Sequence, residues 1–247
     1  MTGRRILLAG ATGTLGRDIA AHLAEAGHRV AVHTHRRADD AHAIVRALPG
    51  AGHVAAAADL ADQNQTDAMV AGVREAWGEL DHVVNAAWPA VGAVRVGESD
   101  DGAIEAGLLG YRAHAHLCRA VLPSLRRTRG SIVFLGGALA TRLHPGLGHF
   151  GAGKAAAALL THVLALEEGG HGVRANVLSL GRIDVDLDRD LAESDPVFEA
   201  LDRIGQLRRA LPLPTARDVA SAIGWLIADD AGALTGQTIS IAGGERV

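Results

Sequence analysis

The sequence predicts one doubly wound α/β domain built on a seven-stranded parallel sheet. Short apolar runs alternate with amphipathic segments along the whole chain. A glycine-rich turn stands directly between the first run and the first periodic segment. The 247 residues, 48% of them hydrophobic, contain no internal repeat and no low-complexity linker, so one large core is expected. Strands separated by helix-length segments need crossover connections, which make the sheet parallel and cover it on both faces.

Strands are expected at residues 4–9, 29–34, 53–58, 82–85, 131–135, 173–178 and 238–241. Between them, apolar residues recur at helical spacing over 15–26, 41–48, 62–77, 104–126, 151–168 and 216–227. The stretch 182–214 is charged and rich in turn formers; it reads as a lid-like insertion with short helices or as a plain surface connection. Aromatic residues make up only 3%, so the core is expected to be mostly Ala, Val, Leu and Ile. A net charge of -4 leaves no basic footprint for nucleic acid. One cysteine, Cys118, excludes an internal disulfide and suits a reducing interior. No stretch is long enough to span a bilayer, and MTGRRILLAG runs straight into a strand, so a cytoplasmic protein is expected.

The turn reads Gly10-Ala11-Thr12-Gly13-Thr14-Leu15-Gly16. Gly10 allows a sharp bend, Gly13 lets backbone approach a phosphate, and Gly16 permits close packing of helix on sheet. The helix that follows offers free N–H groups to a pyrophosphate, which makes the fold Rossmann-type. The second strand ends in Thr34-His35-Arg36-Arg37 with no acidic residue at its tip. An acid there would hold the ribose diol of NAD(H), whereas arginine suits the 2′-phosphate of NADP(H). NADP(H) is therefore favoured, with Arg36 and Arg37 as ordinary solvated charges the competing reading. Asp59, at the end of the third strand, serves either an adenine amine or the cap of the next helix.

Further stretches occur in a fixed order: Leu80-Asp-His-Val-Val-Asn85-Ala-Ala, Gly130-Ser-Ile-Val-Phe-Leu, Lys154-Ala-Ala in a long helix, Val173-Arg-Ala-Asn176-Val, and Thr235-Gly-Gln-Thr-Ile-Ser-Ile-Ala-Gly-Gly244. On these residues the chain resembles the short-chain dehydrogenase/reductases over nearly its whole length. The resemblance places the cofactor along Gly10, Thr12, Gly13, Thr14, Leu15 and Gly16, then His35 and Arg36, Asp59 and Leu60, Asn85 and Ala86, and finally Lys154, Gly181 and Ile183. It also implies acid-assisted hydride transfer by Asn, Ser, Tyr and Lys. Only the lysine survives, as Lys154. Phe150 stands at the Tyr position, Gly137 at the Ser position and Gly110 at the Asn position. The family's Asn-Asn-Ala-Gly turn is Asn85-Ala-Ala-Trp88, its Pro-Gly is Leu180-Gly181, and its carboxamide-binding Thr aligns with Val185.

A phenyl ring has the shape of a phenol but no proton to donate. Groups serving adenosine and phosphates are thus kept, while groups serving a carbonyl are lost, and ordinary ketone reduction is the least expected activity. The favoured expectation is an unconventional biosynthetic enzyme on a small hydrophobic intermediate. It would reduce an activated C=N or conjugated acceptor, or run a non-redox reaction with His144, His149 or Tyr111 as acid or base. Surface polarity or core packing is the bland reading for each of those three. The alternative is a silent partner subunit or cofactor-bound regulator. Trp88, Gly137, His144, Phe150 and Leu180 would line the substrate pocket, and no metal ligand set is expected. The alanine run 155–158, with the helix 104–126, would form a homo-oligomer interface, in a dimer or tetramer, as is usual in that family.

Overall fold

The first strand, β1 (Arg5–Ala9), sends Ile6 and Leu8 to one face of the sheet and Leu7 and Ala9 to the other, all of them buried. Apolar residues on both faces at a period of two are what a parallel strand between two helical layers requires. In this computed structural model, which describes residues 3–138, 144–184 and 210–244, the same division recurs across the sheet. The other strands are β2 (Arg29–Thr34), β3 (Val54–Ala57), β4 (His82–Asn85), β5 (Ser131–Gly137), β6 (Arg174–Leu180) and β7 (Thr238–Ile241). Their order is β3-β2-β1-β4-β5-β6-β7, and every pairing is parallel.

Helices α1 (Thr14–Glu25), α2 (Ala38–Ala47) and α6 (Ala216–Ile227) cover one face through Ile19, Leu23, Ala41, Val219 and Ile223. Helices α3 (Gln63–Trp77), α4 (Asp101–Thr128) and α5 (Gly148–Glu168) cover the other through Val70, Leu117, Val121 and Leu164. Side chains fix where the helices start. Asp62 accepts from the backbone N–H groups of Asn64 and Gln65 at the head of α3, and Asp100 accepts from Ala103 at the head of α4. Thr215 and Asp218 close a capping box on α6. No helix among the described residues is long and apolar enough to cross a membrane.

Strand order reverses between β2 and β4, on either side of β1. The crossover helices therefore leave the carboxyl ends of β1 and β4 in opposite directions and open a crevice there. The expected elements all form, with shifts that matter at the site. Strand β5 runs on to Gly137 and β6 to Leu180, where the two residues are register partners. Helix α5 begins at Gly148, so Phe150 lies inside its first turn. The stretch 182–214 lies mostly outside the described residues. At its described ends Asp184 bridges Thr215, and the N–H groups of Ala210 and Leu211 donate to the Gly243 carbonyl.

Candidate functional site

Gly10 ends β1 with φ +79°, and a Cβ there would meet Ala87 N at 2.7 Å. Gly16 packs its bare Cα on the Gly10 carbonyl, so helix and strand approach as closely as backbone allows. Gly13 is the N-cap of α1 and carries no capping side chain, which leaves the first-turn N–H groups facing outward. Buried His33 fixes this turn from below. Its Nδ1 accepts from Gly10 N–H at 3.1 Å, and its Nε2 lies 3.1 Å from the Ala58 carbonyl, to which it donates. Burial holds this imidazole neutral, pushing it down to about 4.

A cleft of about 570 Å³ opens in front of the turn, walled by Thr12, Gly13, His35, Arg36, Asp59, Leu60 and Ala86. The structure separates the two arginines that the sequence offers together. Arg37 folds back on the turn, donating to the Thr12 carbonyl at 2.6 Å and its hydroxyl at 3.1 Å, and it lies 3.5 Å from Asp40. Arg36 lines the same cleft and is exposed, with no hydrogen bond or ion pair among the described residues. The cap of α3 is Asp62, not Asp59. Asp59 instead accepts from Ala61 N–H at 2.9 Å and stands 3.7 Å from His35 Nε2 across the cleft. Leu15 and Ile183 pack against the sheet core rather than projecting as polar contacts. Val185 lies outside the described residues.

Asn85, expected beside the cofactor, turns inward. Its Oδ1 accepts from Ala87 N–H at 3.0 Å and its Nδ2 donates to His114 Nδ1 at 2.9 Å. His114 Nε2 donates to Thr161 at 2.9 Å, and Thr161 donates in turn to the Ala157 carbonyl. This chain assigns the Nε2–H tautomer, because a proton on Nδ1 would face the Asn85 amide donor. Burial, helped by the Lys154 charge, pushes His114 down to about 3. The network ties β4, α4 and α5 together, so Asn85 shapes the crevice by holding Ala86 and Ala87 in place. Cys118 lies 3.5 Å from the His114 ring in the same interior, where burial raises its thiol to about 12 and leaves it inert.

Around Phe150 the structure places an aromatic cluster. The Trp88 ring centroid is 5.7 Å from Phe134 and 6.4 Å from Phe150. Lys154 Nζ sits 4.2 Å from the Trp88 centroid, 5.1 Å from Phe134 and 5.9 Å from Phe150. Among the described residues its hydrogen bond runs to the Leu135 carbonyl at 2.8 Å. Burial in this cage lowers the amine to about 7. The indole occupies a slot left by two helix glycines: a Cβ at Gly110 would lie 2.6 Å from its ring, and one at Gly153 3.3 Å. Among the described residues, a Cβ at Gly137 would have only Phe150 Cε1 near it, at 3.9 Å.

Trp88, Gly137, Phe150 and Leu180 are thus brought together, with Lys154 beneath them. The other candidates make contacts of their own. His144 spends its Nδ1 on the Pro145 carbonyl at 2.7 Å. Tyr111 is 36% exposed, on the outer side of α4 with Ile104 and Leu108. His149 packs its Cβ against Gly107 and has a buried Nε2 without a partner among the described residues. Sequence reasoning missed Phe134, His114 and the role of Arg37. Helix-interior glycines at 107, 110 and 153 were the available signal that something bulky lies between α4 and α5.

Residues 10–245 match a family model described as enoyl-(acyl carrier protein) reductase. The 3-oxoacyl-[acyl-carrier-protein] reductase FabG of Staphylococcus aureus is 31% identical over 248 residues, 96% of each chain. FabG of Escherichia coli is 27% identical over 98% of this chain and 97% of its own. Among solved structures, a short-chain type dehydrogenase/reductase from Mycobacterium ulcerans superposes with a TM-score of 0.90 at 25% identity, covering 99% of this chain and 91% of that one. A short chain dehydrogenase from Burkholderia cenocepacia, solved in complex with NADP, gives 0.86 at 29% identity over 100% and 99%.

Proposed function

Since the chain belongs to the short-chain dehydrogenase/reductase family, we propose that it is an NADP(H)-binding enzyme that acts on an acceptor needing no hydroxyl proton donor. The acceptor class is an iminium or a polarised conjugated system on a small hydrophobic molecule. One observation carries the reading: at the Tyr position the Phe150 ring packs on Trp88 and Gly137, and none of these side chains supplies an O–H. General acid help and an oxyanion donor are each worth about 10²–10⁴ and 10²–10³ in rate, so plain ketones should turn over slower by several orders of magnitude.

The residues present suit the dinucleotide at its adenosine end. The Gly13 N-cap can receive the pyrophosphate, Ala86 and Leu60 the adenosine, and the free Arg36 guanidinium a 2′-phosphate. When bound there, the reduced nicotinamide supplies a hydride. The chain contributes an apolar floor of Phe150, Gly137 and Leu180, and a cation at Lys154 held by the Leu135 carbonyl. An acceptor that is already positive or strongly polarised requires nothing more from the protein than binding and exclusion of water.

Titration with NADPH and NADH tests the cofactor half. Saturable NADPH binding is expected, weakened about 10- to 100-fold by Arg36→Ala, with NADH little changed, as loss of a charge-assisted contact of about 1.5–3 kcal/mol requires. Equal loss for both cofactors would refute the phosphate role of Arg36. A second reading, a non-catalytic partner subunit, is favoured by a different observation. Leu159 and Leu166 on α5 are 65% and 84% exposed, and Ile104 and Leu108 on α4 are exposed too, apolar surface suited to a homo-oligomer. A cofactor-binding protein inert toward iminium and conjugated acceptors alike would select that reading.

A further inference from the structure

Lys154 is the only lysine in the chain; the other 23 basic residues of this kind are arginines. Among the described residues, ion pairs such as Arg4–Asp229, Arg119–Asp67 and Arg127–Glu79 use arginine. Arginine stays charged under all ordinary conditions, whereas lysine can release a proton and become a nucleophile. The one side-chain amine therefore stands inside the buried aromatic cluster.

Its surroundings are those of an activated amine. From the end of β4 it meets the Trp88 face, from β5 the Phe134 ring and the Leu135 carbonyl, and from its own helix Phe150. The titratable group facing it from α4 is His114, locked as a neutral donor by Thr161. Burial alone accounts for its lowered basicity, with no carboxylate contributing. Near it, Gly137 pairs with Leu180 across β5 and β6, and among the described residues a Cβ at Gly137 would meet only Phe150 Cε1, at 3.9 Å, so a small apolar group fits at that end of the strand. Desolvated lysines in apolar pockets are a recognised route to amine nucleophiles.

We propose that Lys154 is a carbonyl-capturing amine that forms a Schiff base with a small apolar aldehyde or ketone. The Nζ lone pair bonds to the carbonyl carbon while the C=O π electrons move to oxygen. The nitrogen passes a proton to that oxygen, and the carbinolamine then takes up one solvent proton and expels water. The product is an iminium, whose positive charge lies over the indole face and is stabilised there without water. No electrons are gained or lost, so the step needs no nicotinamide and stands apart from the hydride-transfer reading. Apolar walls select a carbonyl compound without charge.

The test uses the whole protein, free of cofactor, with benzaldehyde and sodium cyanoborohydride near pH 7, read by intact mass and peptide mapping. The chain's only other amine is its α-amino terminus, an internal reference with an ordinary value of about 7.7–8.0. Labelling of Lys154 at least about 10-fold faster than the terminus is expected, with a rate that levels off just above pH 7. Lys154→Met should retain terminal labelling alone. Native Lys154 that reacts more slowly than the terminus, or only after unfolding in urea, would overturn the proposal. Binding of NADPH without any such adduct would sink this inference while leaving the cofactor reading intact.

Discussion

Replacing Lys154 by Met should stabilise the protein, although it removes the amine proposed to act in the site. Lysine titrates near 10.5 in the unfolded chain and at about 7 in the cage, lowered by burial. At about 1.36 kcal/mol per unit, holding the ammonium in the folded state below pH 7 costs up to about 5 kcal/mol. The cation–π contacts with Trp88 and Phe134 offset about 1 kcal/mol of that cost. Methionine fills the same volume and suits aromatic neighbours, but it leaves one acceptor less well satisfied, at about 1–3 kcal/mol. A net gain of about 1–3 kcal/mol remains, which is about 2–12 °C in Tm for a chain of this size. The pH dependence supplies a second reading of the same quantity. Because the folded value is depressed, the unfolded state binds the extra proton between about pH 7 and 10.5, so stability rises with pH in that window. From pH 7 to 9 the native protein should gain about 2–3 kcal/mol from this residue by urea unfolding, and Lys154→Met should lose that slope. A variant less stable than the parent, or an unchanged slope, would refute the argument that the amine is desolvated.

The slot for Trp88 can be tested by a double-mutant cycle. Gly110→Ala alone should destabilise by about 1–3 kcal/mol through overpacking against the indole, while in a Trp88→Ala background it should stabilise by up to about 1 kcal/mol through helix propensity. Additive effects by chemical denaturation would show that the two positions do not touch. Three buried neutral histidines, His33, His82 and His114, held at about 4, 3 and 3, set the acid limit. Their depressed values mean that stability is fully present above about pH 6.5 and falls as pH drops toward 4, by up to about 1.4 kcal/mol per unit for each. Linkage analysis of His114→Asn should show one proton fewer taken up on unfolding at pH 5; no change would mean that His114 is not desolvated.

The fold was readable from the chain because its signals are local. A strand with apolar residues on both faces, such as Leu7 between Ile6 and Leu8, announces a sheet covered by helices, and Gly10, Gly13 and Gly16 announce the phosphate turn. Helix α4 starts earlier than its apolar periodicity, since the Asp100 cap governs the start and caps act through backbone N–H groups rather than pattern. That Phe150 and Gly137 carry no hydroxyl is read directly from the chain. What surrounds them is not. Trp88 reaches its slot only because glycines on two distant helices leave room, and no spacing rule links residues 88, 110 and 153. The inward turn of Asn85 likewise depends on His114, twenty-nine residues away. Arg36 and Arg37 are neighbours whose side chains diverge with the backbone at the strand end, so one braces the turn and the other faces the cleft.

The most direct test is the rate at which the unmodified protein, saturated with NADPH, consumes that cofactor with a plain ketone. With Phe150 and Gly137 in place of the hydroxyls, oxidation of NADPH should not rise above the no-protein background. Brisk turnover would contradict the account, because it would require a proton donor that this cluster of Trp88, Phe134, Phe150 and Gly137 does not provide.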